Sequence, residues 1–252
     1  MFAPYRTANS KLSFQLRPHL SNGMPPSKAP FNNSTPLKNF QLVFFLLFAV
    51  GFMVQGWGER DGLLQHPART GVVMVFALST LLLLFIPLEL FSEGTKEVRR
   101  QRWLTFLALG TVGGLCWYLP YADRRELFVW PESDLLRYSG LAATVLGMAI
   151  RIAGMWQLGQ LFSGFVTLQP EHHLITTGCY RWVRHPIYSG SLLAFAGFLL
   201  VFRSKLVLIA APAYLIGTLL RIADEEKLFA ETFGEAFARY RTRTWRLIPF
   251  VY

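Results

Sequence analysis

The chain has 252 residues, of which 52% are hydrophobic and only 16% charged, whereas an ordinary soluble domain carries about 25% charged residues. With Phe at 22 positions spread over several blocks, this composition excludes a soluble domain with a large core and indicates a multi-pass membrane protein. The net charge of +10 raises nucleic acid as a partner, but its distribution along the chain argues for a membrane surface instead.

Residues 1–37 are polar, rich in Pro, Ser and Asn, and free of acids; the first is Glu59. No long apolar stretch with a small-residue cleavage site marks a secretory signal, and the prolines weaken any amphipathic helix of a transit peptide. The expectation is a disordered basic tail near the membrane. Four apolar runs follow, at 40–57, 71–88, 103–122 and 135–156; the second has no charge over 18 positions. Each approaches the roughly 20 residues that span a bilayer. Two shorter runs, 191–202 and 206–220, are separated only by Arg203, Ser204 and Lys205. They read as a helical hairpin whose length leaves full crossing open.

The expected fold class is therefore all-α: a multi-pass integral membrane protein with four spanning helices, a C-terminal helical hairpin and a cytoplasmic amphipathic tail helix. The expected organisation is a tail (1–37), a transmembrane scaffold (38–157), and a cofactor-binding and catalytic region (158–252). With the N-terminus in the cytoplasm, Lys and Arg divide as 17 inside and 7 outside, with Arg151 inside a segment. This is the positive-inside pattern. It puts both termini in the cytoplasm and makes membrane lipids, not nucleic acid, the expected partners. The oligomeric state is not encoded in any feature of the pattern. No metal site is expected, and Cys116 and Cys179, in an apolar run and in a loop, should not meet.

The tail of the chain carries Phe229, Phe233 and Phe237 at every fourth position, one stripe of an amphipathic helix. Gly234 weakens that helix or marks a bend, and an anchoring surface helix accounts for at least half of the stripe. Arg239, Arg241, Arg243 and Arg246 then suit a segment returning along the headgroups, with Trp245 at the interface.

The polar chemistry lies after residue 150. In "GCYRWVRHPIYSG" (178–190), Pro186 disfavours a helical His185 and suits the first turn of the next helix. The leading N–H groups of that helix, with Arg184 beside them, can seat a carboxylate or phosphate. Tyr180, Trp182 and Tyr188 offer aromatic faces to a planar or cationic ligand; an interfacial aromatic-and-arginine belt explains the same residues equally well. The second cluster is Arg221, Asp224, Glu225 and Glu226, with Arg221 and Glu225 on one helix face. Three consecutive acids run against the positive-inside bias. A hairpin brings its two ends together, so 184–188 and 221–226 should form a pocket at the cytoplasmic membrane surface, a constellation to treat as an active site.

These stretches, "HHLITTGCYRWVRHPIYSG" (172–190) and "RIADEEKLFAETFGEAFARYRTRTWRLIP" (221–249), resemble the isoprenylcysteine carboxyl methyltransferase family and its phospholipid methyltransferase relatives. With the hairpin between them they cover roughly the last third of the chain. The resemblance implies S-adenosylmethionine as cofactor, contacted at His172, His173, Leu174, Ile175, Tyr180, His185, Pro186, Ile187 and Tyr188, and at Glu225 with its neighbour Glu226. It implies Arg221 as a substrate residue acting with Glu225 in catalysis; Arg184, read from the motif's own chemistry, is a further expected substrate-binding residue. Two departures stand out: Cys179 occupies a position where proline is frequent, and Phe237 replaces a common tyrosine. The implied reaction is methyl transfer to the carboxylate of a prenylated or other lipid-like substrate. An amine or thiol acceptor would need a base, with His172 or Glu226 nearest. An NADPH-dependent sterol-reductase-like enzyme and a non-enzymatic membrane scaffold are the other readings.

Overall fold

The structure is a computed structural model that describes residues 34–86, 96–97, 99–163, 167–168 and 173–251. The predicted tail up to residue 33 and His172 lie outside the described residues. The helices in chain order are α1 (Ser34–Trp57), the short α2 (Arg60–Leu64), α3 (Pro67–Phe85), α4 (Arg99–Arg124), α5 (Asp134–Leu158), α6 (Pro186–Val201), α7 (Val207–Phe233) and α8 (Glu235–Arg241). A two-residue antiparallel pair, β1 (Lys96–Glu97) with β2 (Thr167–Leu168), is a small addition to the all-α expectation.

Local chemistry sets the boundaries. Pro67 and Pro186 both sit in the first turn of their helices, where a missing N–H costs nothing. His66 caps α3 by accepting from the Ala68 amide at 3.1 Å, and Ser133 caps α5 by accepting from Leu136 at 3.3 Å. Residues 34–37, expected in the tail, belong to α1. The reason lies one residue on: Lys38 is buried and donates to the Leu84 and Ile86 carbonyls at 3.2 and 2.8 Å, covering the open C-terminal end of α3.

Among the described residues, four helices are long and apolar enough to cross a bilayer: Pro36–Trp57, Pro67–Phe85, Asp134–Leu161 and Val207–Phe233. Their outward faces carry Phe40, Leu47, Met74, Leu146 and Ile209, exposed as lipid-facing residues are. This is an integral membrane protein. Three of them are expected spans, and the fourth, α7, is the second arm of the expected hairpin. α4 forms over the predicted run 103–122. The second hairpin arm is longer than its apolar run, because the helix does not stop at Leu220 but runs on through the three acids to Phe233. At 27 residues α7 is about 40 Å long, whereas the 16 residues of α6 reach about 24 Å, short of the roughly 30 Å hydrocarbon core.

α5 and α6 are antiparallel and form the most extensive helix pair. Small residues make this possible: Gly140 faces Gly197, and Gly147 faces Gly190. A Cβ on Gly147 would stand 2.3 Å from the Ala194 nitrogen, so the two backbones touch. Ser34–Tyr252 form one compact unit. Beside the α5–α6 pair, among α1, α3, α4 and α7, lies a cavity of about 540 Å³.

Candidate active site

The site forms where α6 begins and α7 emerges from the apolar run. His185 is the N-cap residue of α6, with extended φ and no side-chain cap bond, as the following proline requires. The segment before it is held from outside the hairpin. Arg184 and His185 amides donate to the Trp245 and Arg246 carbonyls at 2.8 and 3.2 Å, and the Trp245 amide donates to the Trp182 carbonyl at 3.0 Å. The returning C-terminal segment thus clasps the motif instead of lying apart on the headgroups.

From there a single network of charges runs through the site. Arg221 donates from Nη1 to Thr105 Oγ1 at 2.9 Å and from Nε to the Tyr188 hydroxyl at 2.6 Å. Tyr188 in turn donates to Glu225 through a short hydrogen bond. His185 lies between the two acids, Nδ1 at 3.5 Å from Glu225 and Nε2 at 3.4 Å from Glu226. Behind it, Glu226 receives Arg184 at 3.0 Å and Arg246 at 2.6 Å. Burial alone would favour neutral His185, but the hydrogen bonds and charges of Glu225 and Glu226 outweigh it and hold the imidazole above its ordinary pKa.

The expected site residues fall into two groups. His173, Leu174, Ile175, Tyr180, Arg184, His185, Ile187, Tyr188, Arg221 and Glu225 line the cavity. Pro186 packs against Gly154 instead, and Glu226 stands one layer back, buried among its three cationic partners. Arg184 lines the cavity but spends its hydrogen bonds on Glu226, the Arg241 carbonyl and Thr244. That leaves it a structural bracket more than an open anion seat.

The phenylalanine stripe has a different role from a surface anchor: Phe229 and Phe237 line the cavity, with rings 5.8 Å apart across the break at Gly234. The bend expected at Gly234 is there, at φ +49°. Tyr240 on α8 donates to the Tyr180 carbonyl at 2.7 Å, tying the tail to the loop. Burial pushes the Tyr180 and Tyr240 phenols up and the Cys179 thiol up as well, which argues against a reactive thiolate there. Cys116 and Cys179 are both free.

Several residues of the site escape sequence reasoning. Thr105 comes from α4 and Gln157 from α5, where it accepts from the Cys179 amide at 3.0 Å. Arg246 reads in the sequence as a headgroup cation, whereas the fold makes it a partner of Glu226. Arg151 is visible as a lone charge inside an apolar run, a signal worth following.

Part of the chain is similar in sequence to known proteins. The family model described as the isoprenylcysteine carboxyl methyltransferase family matches residues 140–231. The protein-S-isoprenylcysteine O-methyltransferase of Saccharomyces cerevisiae is 30% identical over 138 residues, covering 50% of this chain and 58% of that protein. The Homo sapiens protein of the same name is 28% identical over 154 residues, covering 56% of this chain and 51% of that one. The chain thus spans about half the length of the curated relatives it matches. A solved structure of a eukaryotic intramembrane Ras methyltransferase of this family is 17% identical, covers 86% of both chains and superposes with a TM-score of 0.43, too loosely to carry detail. The stretch from residue 140 to residue 231, which holds both ends of the hairpin and every charged residue of the cavity wall, carries the sequence pattern of the isoprenylcysteine carboxyl methyltransferase family.

Proposed function

We propose that the protein transfers a methyl group from S-adenosylmethionine to the carboxylate of a membrane-borne, prenylcysteine-like acceptor. The observation that carries this is the form of the cavity. One end is polar, formed by His173, Tyr180, His185, Tyr188, Arg221 and Glu225, and the other is walled by Phe76, Phe195 and Phe198. A polar cofactor and a greasy acceptor can share such a space only if each takes its own end.

The residues present suit the cofactor. Glu225 is an acceptor for hydroxyl or ammonium donors, and the Tyr180 and Tyr188 rings suit a flat base or a sulfonium. Bound there, S-adenosylmethionine would supply an electrophilic methyl group that a carboxylate oxygen takes without any proton transfer. The chain's own contribution is alignment: Arg221 and Glu225 are fixed on either side of the Tyr188 hydroxyl, and the buried wall keeps water away from the reacting pair.

A carboxylate acceptor, ionised near neutral pH, needs no base, and the site supports that choice over an amine or thiol. His185 sits between two carboxylates that raise its pKa, and Glu226 is tied to Arg184 and Arg246. Both are already engaged by partners of opposite charge. The polar end faces the cytoplasm in this reading, since the cofactor is water-soluble and the basic residues concentrate on that side; both termini are then cytoplasmic.

The test is calorimetry on the detergent-purified full chain with S-adenosylhomocysteine and, separately, NADPH. S-adenosylhomocysteine should bind, and Glu225→Gln should weaken it at least about tenfold, the scale of a lost charge-assisted hydrogen bond. Binding of NADPH alone would move the protein to the reductases, and binding of neither would remove the enzymatic reading.

A further inference from the structure

Large apolar side chains that stand exposed lie mostly on the spanning helices, where lipid covers them. At the polar end of the cavity another group lies off the spans: Trp182 is 56% exposed, Ile248 55%, Phe250 85% and Val251 75%. The clasp of the C-terminal segment on the motif brings them into one neighbourhood. Val183 pairs with Trp245 in a parallel bridge, and the Ser189 hydroxyl donates to the Leu247 carbonyl at 2.6 Å. Leu247 itself is buried; the chain then turns, with the Val251 amide donating to the Ile248 carbonyl at 3.2 Å. Phe250 takes a φ of +66°, which a bulky residue rarely adopts. The turn sets its ring 4.6 Å from that of Trp245 and still leaves Phe250 open on the outside.

The same stretch is basic. Arg181, Arg241 and Arg243 are exposed, and among the described residues none of them has a carboxylate within ion-pair distance; Arg181 lies over the Trp182 ring at 5.5 Å. The depth of the turn follows from Ser189, which stands in the first turn of α6. From Leu192 to Val201 that helix carries no polar side chain, so the bond to Leu247 sets the turn level with the edge of the hydrocarbon. Exposed aromatic and aliphatic groups flanked by unpaired arginines at that level are the makeup of an interfacial anchor. The apolar groups enter the acyl boundary, and the cations meet acidic headgroups. An acidic protein would satisfy the arginines alone, whereas a lipid surface meets both needs at once.

We infer that the turn 248–251, with Arg181, Arg241 and Arg243, is a docking surface for an anionic lipid leaflet, and that its seating tightens the clasp on the RHP motif. The route is short. The segment that carries the turn is the one whose Trp245 and Arg246 carbonyls receive the Arg184 and His185 amides, and Arg246 also holds Glu226 behind His185. A turn seated in the leaflet holds that segment against the motif, and a turn without acidic headgroups lets the clasp open more often. Lipid that meets only the closed form stabilises it by mass action, without entering the cavity. The inference does not depend on which reaction the site performs.

The test places the full chain in nanodiscs of phosphatidylcholine, with and without phosphatidylserine, and follows amide hydrogen exchange at Arg184, His185 and Trp245. Exchange should be slower in the acidic discs by at least about fivefold, the worth of one arginine near an acidic surface, and added salt should remove the difference. Arg241→Gln combined with Arg243→Gln should lose most of that difference, and the paired lysine variants should keep it. Phe250→Ser combined with Val251→Ser should speed exchange in both kinds of disc. All four side chains are exposed, so these variants should fold, and the salt titration reads the same contact on the wild type. Equal exchange in the two discs, or a difference that survives loss of both arginines, overturns the inference. So does polyglutamate that slows exchange as strongly in phosphatidylcholine discs, which would assign the surface to an acidic protein.

Discussion

The two ends of the α5–α6 pair each bury a network of charge, and they differ in one respect. At the end with the α6–α7 turn, Asp123 is fully buried and receives Arg137 through two bonds of 2.8 and 3.0 Å, Arg203 at 2.7 Å and Arg69 at 3.4 Å. Arg137 spends all five N–H donors, on Asp123, Glu132 and the Val201 carbonyl. Glu132 neutralises a further part of the charge, and the carbonyls of Leu63, Gly62, Asp123 and Trp130 accept further N–H groups of Arg69 and Arg203. That network is closed, and none of its members lines the cavity. At the opposite end the Arg221–Tyr188–Glu225–His185–Glu226 network opens onto the cavity. Buried charge that is closed off reads as a lock; buried charge that opens onto a cavity reads as a site.

The sharpest way to break the comparison is Asp123→Ala. It strands three arginines and should cost about 3–5 kcal/mol, the scale for an uncompensated buried charge. A thermal melt in detergent would check it, with S-adenosylhomocysteine affinity lost only as the fold is lost. A melt close to that of the wild type would show that the closed network is not the lock. Next in size is Gly147→Val, which drives a side chain into the α6 backbone and should cost about 1–3 kcal/mol. Because both networks hang on the same helix pair, it should weaken the melt and the cofactor affinity together; a change in one alone would mean that the two ends are independent.

The pH dependence sharpens the contrast, since the two ends should respond in opposite directions. His185 has a raised pKa, so its contribution to stability is fully present below about 6.5 and is lost as pH rises through the folded value. The hydrogen bond from Arg137 is the largest cause that lowers the Glu132 pKa, to about 2, so its contribution is present above the unfolded value of about 4.5 and is lost as pH falls toward 2. Melts across pH should therefore lose their alkaline-side slope in His185→Gln and soften their acid-side slope in Glu132→Gln; identical profiles in both variants would refute the assignment. The smallest expected effect is that of Cys179→Ser. Its sulfur meets Gln157 at 3.2 Å, outside both networks, and methyl transfer should stay within about twofold. A large loss would revive the thiol as a reacting group.

Much of this protein is legible in its residues taken in order. The helices announce themselves because a span in lipid must be long and apolar, and those are properties of a run of residues. The RHP motif and the Arg221–Glu225 pair are legible for a similar reason: a proline dictates its own turn, and a four-residue spacing dictates a shared face. Hydropathy falls at the three acids and so places the end of the last apolar run too early. The helix continues because its residues favour helix and because His185, Tyr188 and Arg246 satisfy Glu225 and Glu226. The glycine spacing of seven in 140, 147 and 154 is plain in the chain, but only Gly197, Gly190 and the Pro186–Ile187 turn of α6 facing them give it meaning.

By itself, then, the sequence determined a multi-pass membrane chain, a hairpin with chemistry at one end, and the family that its last third resembles. Tertiary structure decided the rest: that the C-terminal segment clasps the motif, that Thr105 of α4 and Gln157 of α5 join the site, that Glu226 stands behind Glu225, and that Asp123 closes one end. These are pairings between groups far apart in the chain. Which donor finds which acceptor depends on where the packed helices leave a buried charge without water, and no local run of residues encodes that.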